Sequence, residues 1–352
     1  MVNTFLAANT ERGFYSLFDE MTSKTDHNIL LIKGGPGTGK SSLMKKISTA
    51  AEQKGYQVEQ IHCSSDPDSL DGVWIKDKKL ILLDATSPHC VDPKYPGAVE
   101  QILPLGELWD RSKLIPHKQE IIALSQSISG LFTQVYKMLS AMGEVSQMAN
   151  KIILSAFDRV KAEKTLRKLF GQQALVPLGK KAKIQNRFIS ALSCKGTVLY
   201  EDILQNTRCV VLIEDSYDGA HLLTNLAEKI LDESGYDRIR LLSPLCPQQI
   251  DHLILPECSL AIVTQNHRLK WQSEMNIIKT LSVKSFLNGE IISANKNKLS
   301  FVKKMNKTLS DEVSEYLASE KALHDKLEKY YIDAMDFDAL NRQSQQIIAQ
   351  YL

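Results

Sequence analysis

The sequence predicts an α/β fold built from two related halves, each a sheet-and-helix core followed by a long helical arm. Three observations carry the prediction. A glycine-rich loop, Gly34-Gly35-Pro36-Gly37-Thr38-Gly39-Lys40-Ser41, sits between an apolar run and a helical pattern. Landmarks around that loop return about 180 positions later. After each of the two regions comes a stretch whose apolar residues alternate spacings of three and four, the mark of long amphipathic helices.

Taken in order, Asn9 to Asp19 leads towards the first apolar run, and Phe14, Leu17 and Phe18 stand at helical spacing, which predicts a short packing helix. Arg12, in the same segment, is a candidate to face phosphate or base. Asn28-Ile29-Leu30-Leu31-Ile32 reads as a buried parallel strand. The loop that follows has the spacing G-x-x-x-x-G-K-[ST], the P-loop. Beyond it Leu43, Ile47 and Ala50 share a helical face, and Gly55 falls where a helix C-terminus expects glycine.

The chemistry explains the residue types. Glycines let backbone N–H groups converge on an anion at a helix N-terminus. Gly34, Gly35, Pro36, Gly37, Thr38, Gly39, Lys40, Ser41 and Ser42 are therefore candidate nucleotide-binding residues. Lys40 bridges phosphates and the Ser41 hydroxyl ligates Mg²⁺ in such loops. Leu80-Ile81-Leu82-Leu83-Asp84 is a buried strand ending in an acid, the form that delivers a carboxylate to the Mg²⁺ shell, so Ser41 and Asp84 are the candidate metal ligands. Tyr56 to Ile61 reads as a strand between these, and the polar segment His62 to Gly72 lies at its carboxyl end, where open α/β sheets bind ligands. Asp66, Asp68, Asp71 and His89 are candidates to position the attacking water.

The repeat changes the picture of the second half. Leu30 to Lys33 has its counterpart at Val210 to Ile213, Gly39 at Gly219, Asp71 at Asp251 and Leu80 at Leu260. The equivalent loop reads Glu214-Asp215-Ser216-Tyr217-Asp218-Gly219-Ala220-His221. Ala220 replaces the lysine, Thr264 replaces Asp84, and three carboxylates stand where a triphosphate would lie. Like charges in a partly desolvated site repel strongly, so this second loop is expected not to take ATP in the ordinary way.

The arms follow. Ile121, Leu124, Ile128, Leu131, Val135, Met138 and Met142 form one seam, and Val302, Met305, Leu309, Val313, Tyr316, Leu323 and Leu327 a second. Seams of this kind need a partner. Packing of one arm on the other is the expectation, with a protein partner or self-association through the arms as the alternative. The halves are placed at 1–186, with an arm at about 107–170, and 187–352, with an arm at about 300–350.

Composition sets the bounds. A chain of 352 residues accommodates about two domains, and 43% hydrophobic with 24% charged residues is ordinary for a globular protein. A net charge of +2 does not indicate nucleic acid. Lys180-Lys181-Ala182-Lys183 is short and lacks interleaved aromatics, so it reads as a solvated linker. No apolar run is long enough to span a membrane, and the N-terminus lacks a secretory pattern. Six cysteines without C-x-x-C spacing fit reduced thiols, and a cytoplasmic location is expected. His62-Cys63 and His89-Cys90 could supply zinc ligands, but adjacent strand residues point to opposite faces, which disfavours a shared site.

Asn9-Thr10 with Arg12 to Asp19, the P-loop, Cys63 to Asp66 through Asp71-Gly72, and Pro88-His89 through Asp92 to Ala98 resemble a family of bacterial tandem P-loop ATPase-like proteins. The similarity covers essentially the whole chain and implies two P-loop NTPase-like parallel-sheet domains related by internal duplication, and nucleotide binding. Many members of that family keep a P-loop in both halves. This sequence departs from the pattern at residues 214 to 221, which puts a second catalytic site in doubt. The expected activity is Mg²⁺-dependent ATP hydrolysis at the front loop, with catalytic candidates Lys40, Asp84, Asp71 and His89, and the rear half as partner. A nucleotide-gated scaffold and a small-molecule or nucleotide kinase are the alternatives.

Overall fold

The computed structural model describes all 352 residues. The front half runs β1 (Val2–Phe5), β2 (Ala7–Thr10), β3 (Gly13–Ser16), α1 (Asp19–Thr22), β4 (Asn28–Lys33), α2 (Lys40–Gln53) and β5 (Val58–His62). It continues with β6 (Leu70–Ile75), β7 (Leu80–Asp84) and β8 (Glu100–Pro104), then the helices α3 (Arg111–Leu114), α4 (Lys118–Ala156) and α5 (Arg159–Gln172). The rear half repeats the order: β9 (Ile184–Arg187), β10 (Ser190–Ser193), β11 (Gly196–Leu199), β12 (Cys209–Glu214), α6 (Ala220–Ser234) and β13 (Arg238–Leu242). There follow β14 (Ile250–Leu255), β15 (Leu260–Gln265), β16 (Ile277–Ser282), α7 (Gly289–Ala294), α8 (Lys296–Ala334) and α9 (Phe337–Tyr351). The two long helices are each 39 residues.

Each half holds a six-stranded sheet, in the order β1-β5-β6-β7-β4-β8 in front and β9-β13-β14-β15-β12-β16 behind. The expected parallel sheets are mixed. β6 runs antiparallel to both neighbours, as does β14. The reason is connection length: the links into and out of β6 are too short to carry the crossover that a parallel pair needs. In β4 and β12 the structural equivalence is one residue off the spacing read from the sequence. Ile32 pairs with Asp84 and Ile213 with Thr264. A one-residue slip matters because alternate strand residues face opposite sides.

That alternation builds the core. Leu30, Ile32, Leu80 and Leu82 pack on α2, while Ile29, Leu31, Ile81 and Leu83 face a continuous cluster of 37 buried residues that extends into the rear half. The helix expected over residues 9 to 19 is instead the hairpin β2–β3 followed by the single turn α1. Local pairing of Ala7 to Thr10 with Gly13 to Ser16, turned through Gly13 at φ 100°, outweighs the helical spacing of the aromatics.

The halves meet about a local two-fold relation. Phe5 and Phe188, in equivalent positions, exchange backbone hydrogen bonds of 2.8 and 3.0 Å. α4 and α8 pack along each other, with Val135, Leu139, Met142, Val313 and Leu317 in one cluster. Beyond this crossing the arms exchange cores. α5 packs on α6 of the rear half, and α9 packs on α2 of the front half. The hand-over is reciprocal: the Asp110 and Asp336 amides donate to Ala334 and Leu108, and those of Asp158 and Asn288 to Phe286 and Ala156. Each arm therefore completes the core it does not follow in sequence. β9 already begins at Ile184, ahead of the position 187 expected for the rear half.

Candidate functional site

β4 ends at Lys33 and releases the chain into the loop, which α2 closes by starting at Lys40. Gly37 and Gly39 hold φ of 66° and 76°, which a side chain would strain. The loop is fixed by its own hydrogen bonds. Lys40 Nζ donates to the Gly34 and Gly35 carbonyls, both at 2.8 Å, and Thr38 Oγ1 donates to the Gly35 carbonyl. Thr86 clamps the loop from β7: its hydroxyl donates to the Gly34 carbonyl and accepts from the Gly34 amide. Pro36 and Ser42 flank this cradle, Ser42 exposed on the first turn of α2.

The predicted acids and bases converge beside it. Asp84 Oδ2 lies 3.6 Å from Lys40 Nζ, and its other oxygen accepts from the Thr86 amide. His89 Nε2 lies 3.2 Å from Asp71 Oδ2, with both side chains less than a tenth exposed. Phe18 stacks on the His89 ring at 4.7 Å and Phe14 meets it edge-on at 5.1 Å, so the N-terminal aromatics position this imidazole. Burial raises the Asp84 pKa, opposed by Lys40 and reinforced by Asp71. Burial would lower the His89 pKa, but the Asp71 carboxylate, with Asp84, outweighs burial and raises it. His89 Nδ1 is buried without a partner. Ser41 Oγ accepts from the Leu70 amide at 3.0 Å.

Three candidates are not brought in. Arg12 is exposed at the β2–β3 turn, paired with Glu11, whose amide bonds Leu245 of the rear half. The exchange of the hairpins across the two-fold carries Arg12 away from the front loop. Lys195, on the equivalent rear hairpin, comes forward instead and meets Asp68 at 2.6 Å. Asp66 pairs with Lys321 of α8, so it and Asp68 are engaged by cations from the other half. Of the histidines in the zinc reading, His62 has both ring nitrogens engaged, by the Pro67 carbonyl and Asn3, while His89 Nε2 faces Asp71.

The residues that sequence reasoning missed come from α8, α9 and the link between β8 and α3. The Gly37 amide donates to Glu328 Oε1 at 3.1 Å. Trp109 and Tyr331 lie over Gly35, and a Cβ at Gly39 would sit 2.6 Å from Leu340 of α9. Each is a seam or arm residue with no local sign of which core it covers. Thr86, by contrast, follows Asp84 by two residues and was available from the strand-end motif.

The rear loop is arranged differently. The Asp215 carboxylate accepts from the Tyr217 and Ala220 amides at 2.9 and 2.7 Å, filling the N-terminus of α6 with its own side chain. Gly219 has φ of −106°, unlike Gly39, and the left-handed conformation falls instead on Asp218 at φ 58°. Asp218 pairs with Arg268, and Thr264 Oγ1 donates to the Asp251 carbonyl. Burial pushes the Asp251 pKa up to about 7. His221, at the place of Ser41, contacts Asn150 of α4.

Ser41 and Asp84 offer hard oxygen donors, one hydroxyl and one carboxylate, which fit Mg²⁺. All six cysteines are free, and no helix is long and apolar enough to cross a membrane. Residues 17–94 match the family of novel STAND NTPase 3, a stretch that contains the loop, Asp71, Asp84 and His89. That stretch is NTPase-like. No curated protein and no solved structure matches the chain.

Proposed function

We propose that the front half binds a nucleoside triphosphate with Mg²⁺ and hydrolyses ATP, the rear half serving as a partner without a site of its own. The observation that carries this reading is the convergence of Lys40, Asp84 and the Asp71–His89 pair beside a loop with two left-handed glycines. The loop amides and Lys40 bind and orient the phosphates. Ser41 and Asp84 would hold Mg²⁺, which neutralises phosphate charge when bound. Asp66 and Asp68 are taken up by lysines, which leaves Asp71 and His89 to act on water or on the transferred group. His89 and Asp71 are the paired candidates for acid and base on that water or group.

Occupation of the rear loop by Asp215 supports the view that it has lost its anion site. A cytoplasmic protein with free thiols agrees with the composition. A nucleotide-gated scaffold is the second reading, favoured by the contact of α8 and α9 with the loop. A kinase is less well supported: Arg167 is held by Glu163 and Glu233 on the outside of α5 and forms no lid.

The test is a binding and phosphate-release panel with ATP and GTP, with and without Mg²⁺, on wild type, Lys40→Ala and Asp84→Asn. Mg²⁺-dependent phosphate release without an acceptor, lost in both variants, is expected. Tight binding without turnover favours the scaffold. Unchanged affinity and turnover in Lys40→Ala overturns the reading.

A further inference from the structure

In both loops a carboxylate accepts from a backbone amide, but from different sources. In the rear half the occupant is Asp215, two and five positions from the amides it caps and on the same loop. In the front half it is Glu328, nearly three hundred residues away on α8. The first is buried and inseparable from its loop. The second is about a third exposed and sits on an arm that belongs, in sequence, to the other half.

The same stretch of α8 holds the front half at a second point. Lys321 Nζ lies 3.3 Å from Asp66 Oδ2 on the β5–β6 loop. Lys321 and Glu328 are two helical turns apart, about 10 Å along the axis, and so share a face. Glu320, immediately before Lys321, is buried. Beyond them Tyr331 lies against Gly35 and Gly37, and the backbone carbonyl of Glu328 closes on Gly37, 2.7 Å from where a Cβ would stand. α9 then anchors to α2 through Leu340 and Ile347.

From this geometry we infer that Glu328 is a resident anion, delivered by the arm of the other half, which nucleotide must expel, so that α8 from Lys321 to Ile332 is a strap released by phosphate binding. The inference rests on the nucleotide reading of the front loop and adds its regulation. A phosphate and the Glu328 carboxylate compete for the Gly37 amide, and two anions cannot share it in a partly desolvated site. Displacement frees the carboxylate and lifts Tyr331 from the loop. The apolar contacts of α9 do not depend on charge and keep the arm attached. Binding at the front loop is thereby transmitted to α8, and through its packing on α4 to the other arm.

The experiment measures MgATP affinity in wild type, Glu328→Ala and Glu328→Gln, with amide exchange of α8 followed with and without MgATP. Loss of a charge-assisted competitor predicts affinity roughly ten-fold or more tighter in Glu328→Ala. Glu328→Gln, which keeps shape and loses charge, is expected in between. In wild type, MgATP should speed exchange in the segment from Lys321 to Ile332 and leave α9 protected. Wild-type affinity in both variants, with exchange in that segment unmoved by MgATP, overturns the strap and leaves the nucleotide reading standing. Failure of wild type and both variants to bind any nucleotide overturns the nucleotide reading, and the strap with it.

Discussion

Glu59 and Arg187 form the ion pair that joins the halves at their centre, and its removal gives a sharp stability prediction. Arg187 Nε lies 2.6 Å from Glu59 Oε1, with side-chain exposures of 2% and 4%. Thr4 donates to the same carboxylate oxygen at 3.0 Å, and Lys76 approaches the other at 3.3 Å. Burial alone would raise the Glu59 pKa, but Arg187 and Lys76 overcome it and hold it at about 2, against an ordinary 4.5. The difference corresponds to about 3 kcal/mol. Because the folded pKa is depressed, that stability is fully present above the unfolded pKa and disappears as pH falls towards the folded one. Glu59→Gln at pH 7 leaves Arg187 buried against a neutral group, and a loss of about 3 kcal/mol is expected, within the range for one partner removed from a buried pair. By pH 3 the gap between wild type and variant should fall to less than half. Urea unfolding at both pH values measures it. A loss below about 1 kcal/mol at pH 7, or one that does not shrink at pH 3, refutes the argument that this pair is held ionised in the core.

Two further outcomes follow from the arms. Leu340 is buried against α2 and Gly39, so Leu340→Ala should cost about 2–4 kcal/mol and speed amide exchange in α2; an effect confined to α9 would show that the helix is only laid on the surface. Glu320 on α8 has its pKa pushed up to about 7 by burial and by Asp66. A raised acid favours the folded state below its unfolded pKa and loses that advantage as pH rises through the folded value, so Glu320→Gln should stabilise the protein at pH 8 by up to about 3 kcal/mol and little at pH 4. Denaturation curves that move in parallel at both pH values would contradict it.

Much of the front site could be read from local sequence. The strand at Asn28 to Ile32, the loop, the start of α2 and the acid at Asp84 lie within one short stretch, and each is specified by neighbours: alternation or continuity of apolar residues, glycine where φ is positive, lysine at a helix start. The repeat was legible for the same reason, since each half spells its own elements in the same order. The aromatics at Phe14 and Phe18 were misread because three apolar residues at helical spacing say only that a face is buried. Phe14, in β3, and Phe18, at the start of α1, pack instead on the His89 ring.

The exchange of the arms was decided by tertiary structure alone. A heptad seam states that a helix needs an apolar partner, and either core offers one, so nothing in residues 118 to 156 or 296 to 334 records which core α5 and α9 will complete. The turning away of Arg12 and the placing of Glu328 on the Gly37 amide follow from how the two halves cross at Phe5 and Phe188. The glycine-rich loop and the strand end beside it are legible locally, because they rest on contacts a few residues apart. The three-dimensional fold chose what lies against that loop, because the contact spans 291 positions and is set by the packing of whole helices.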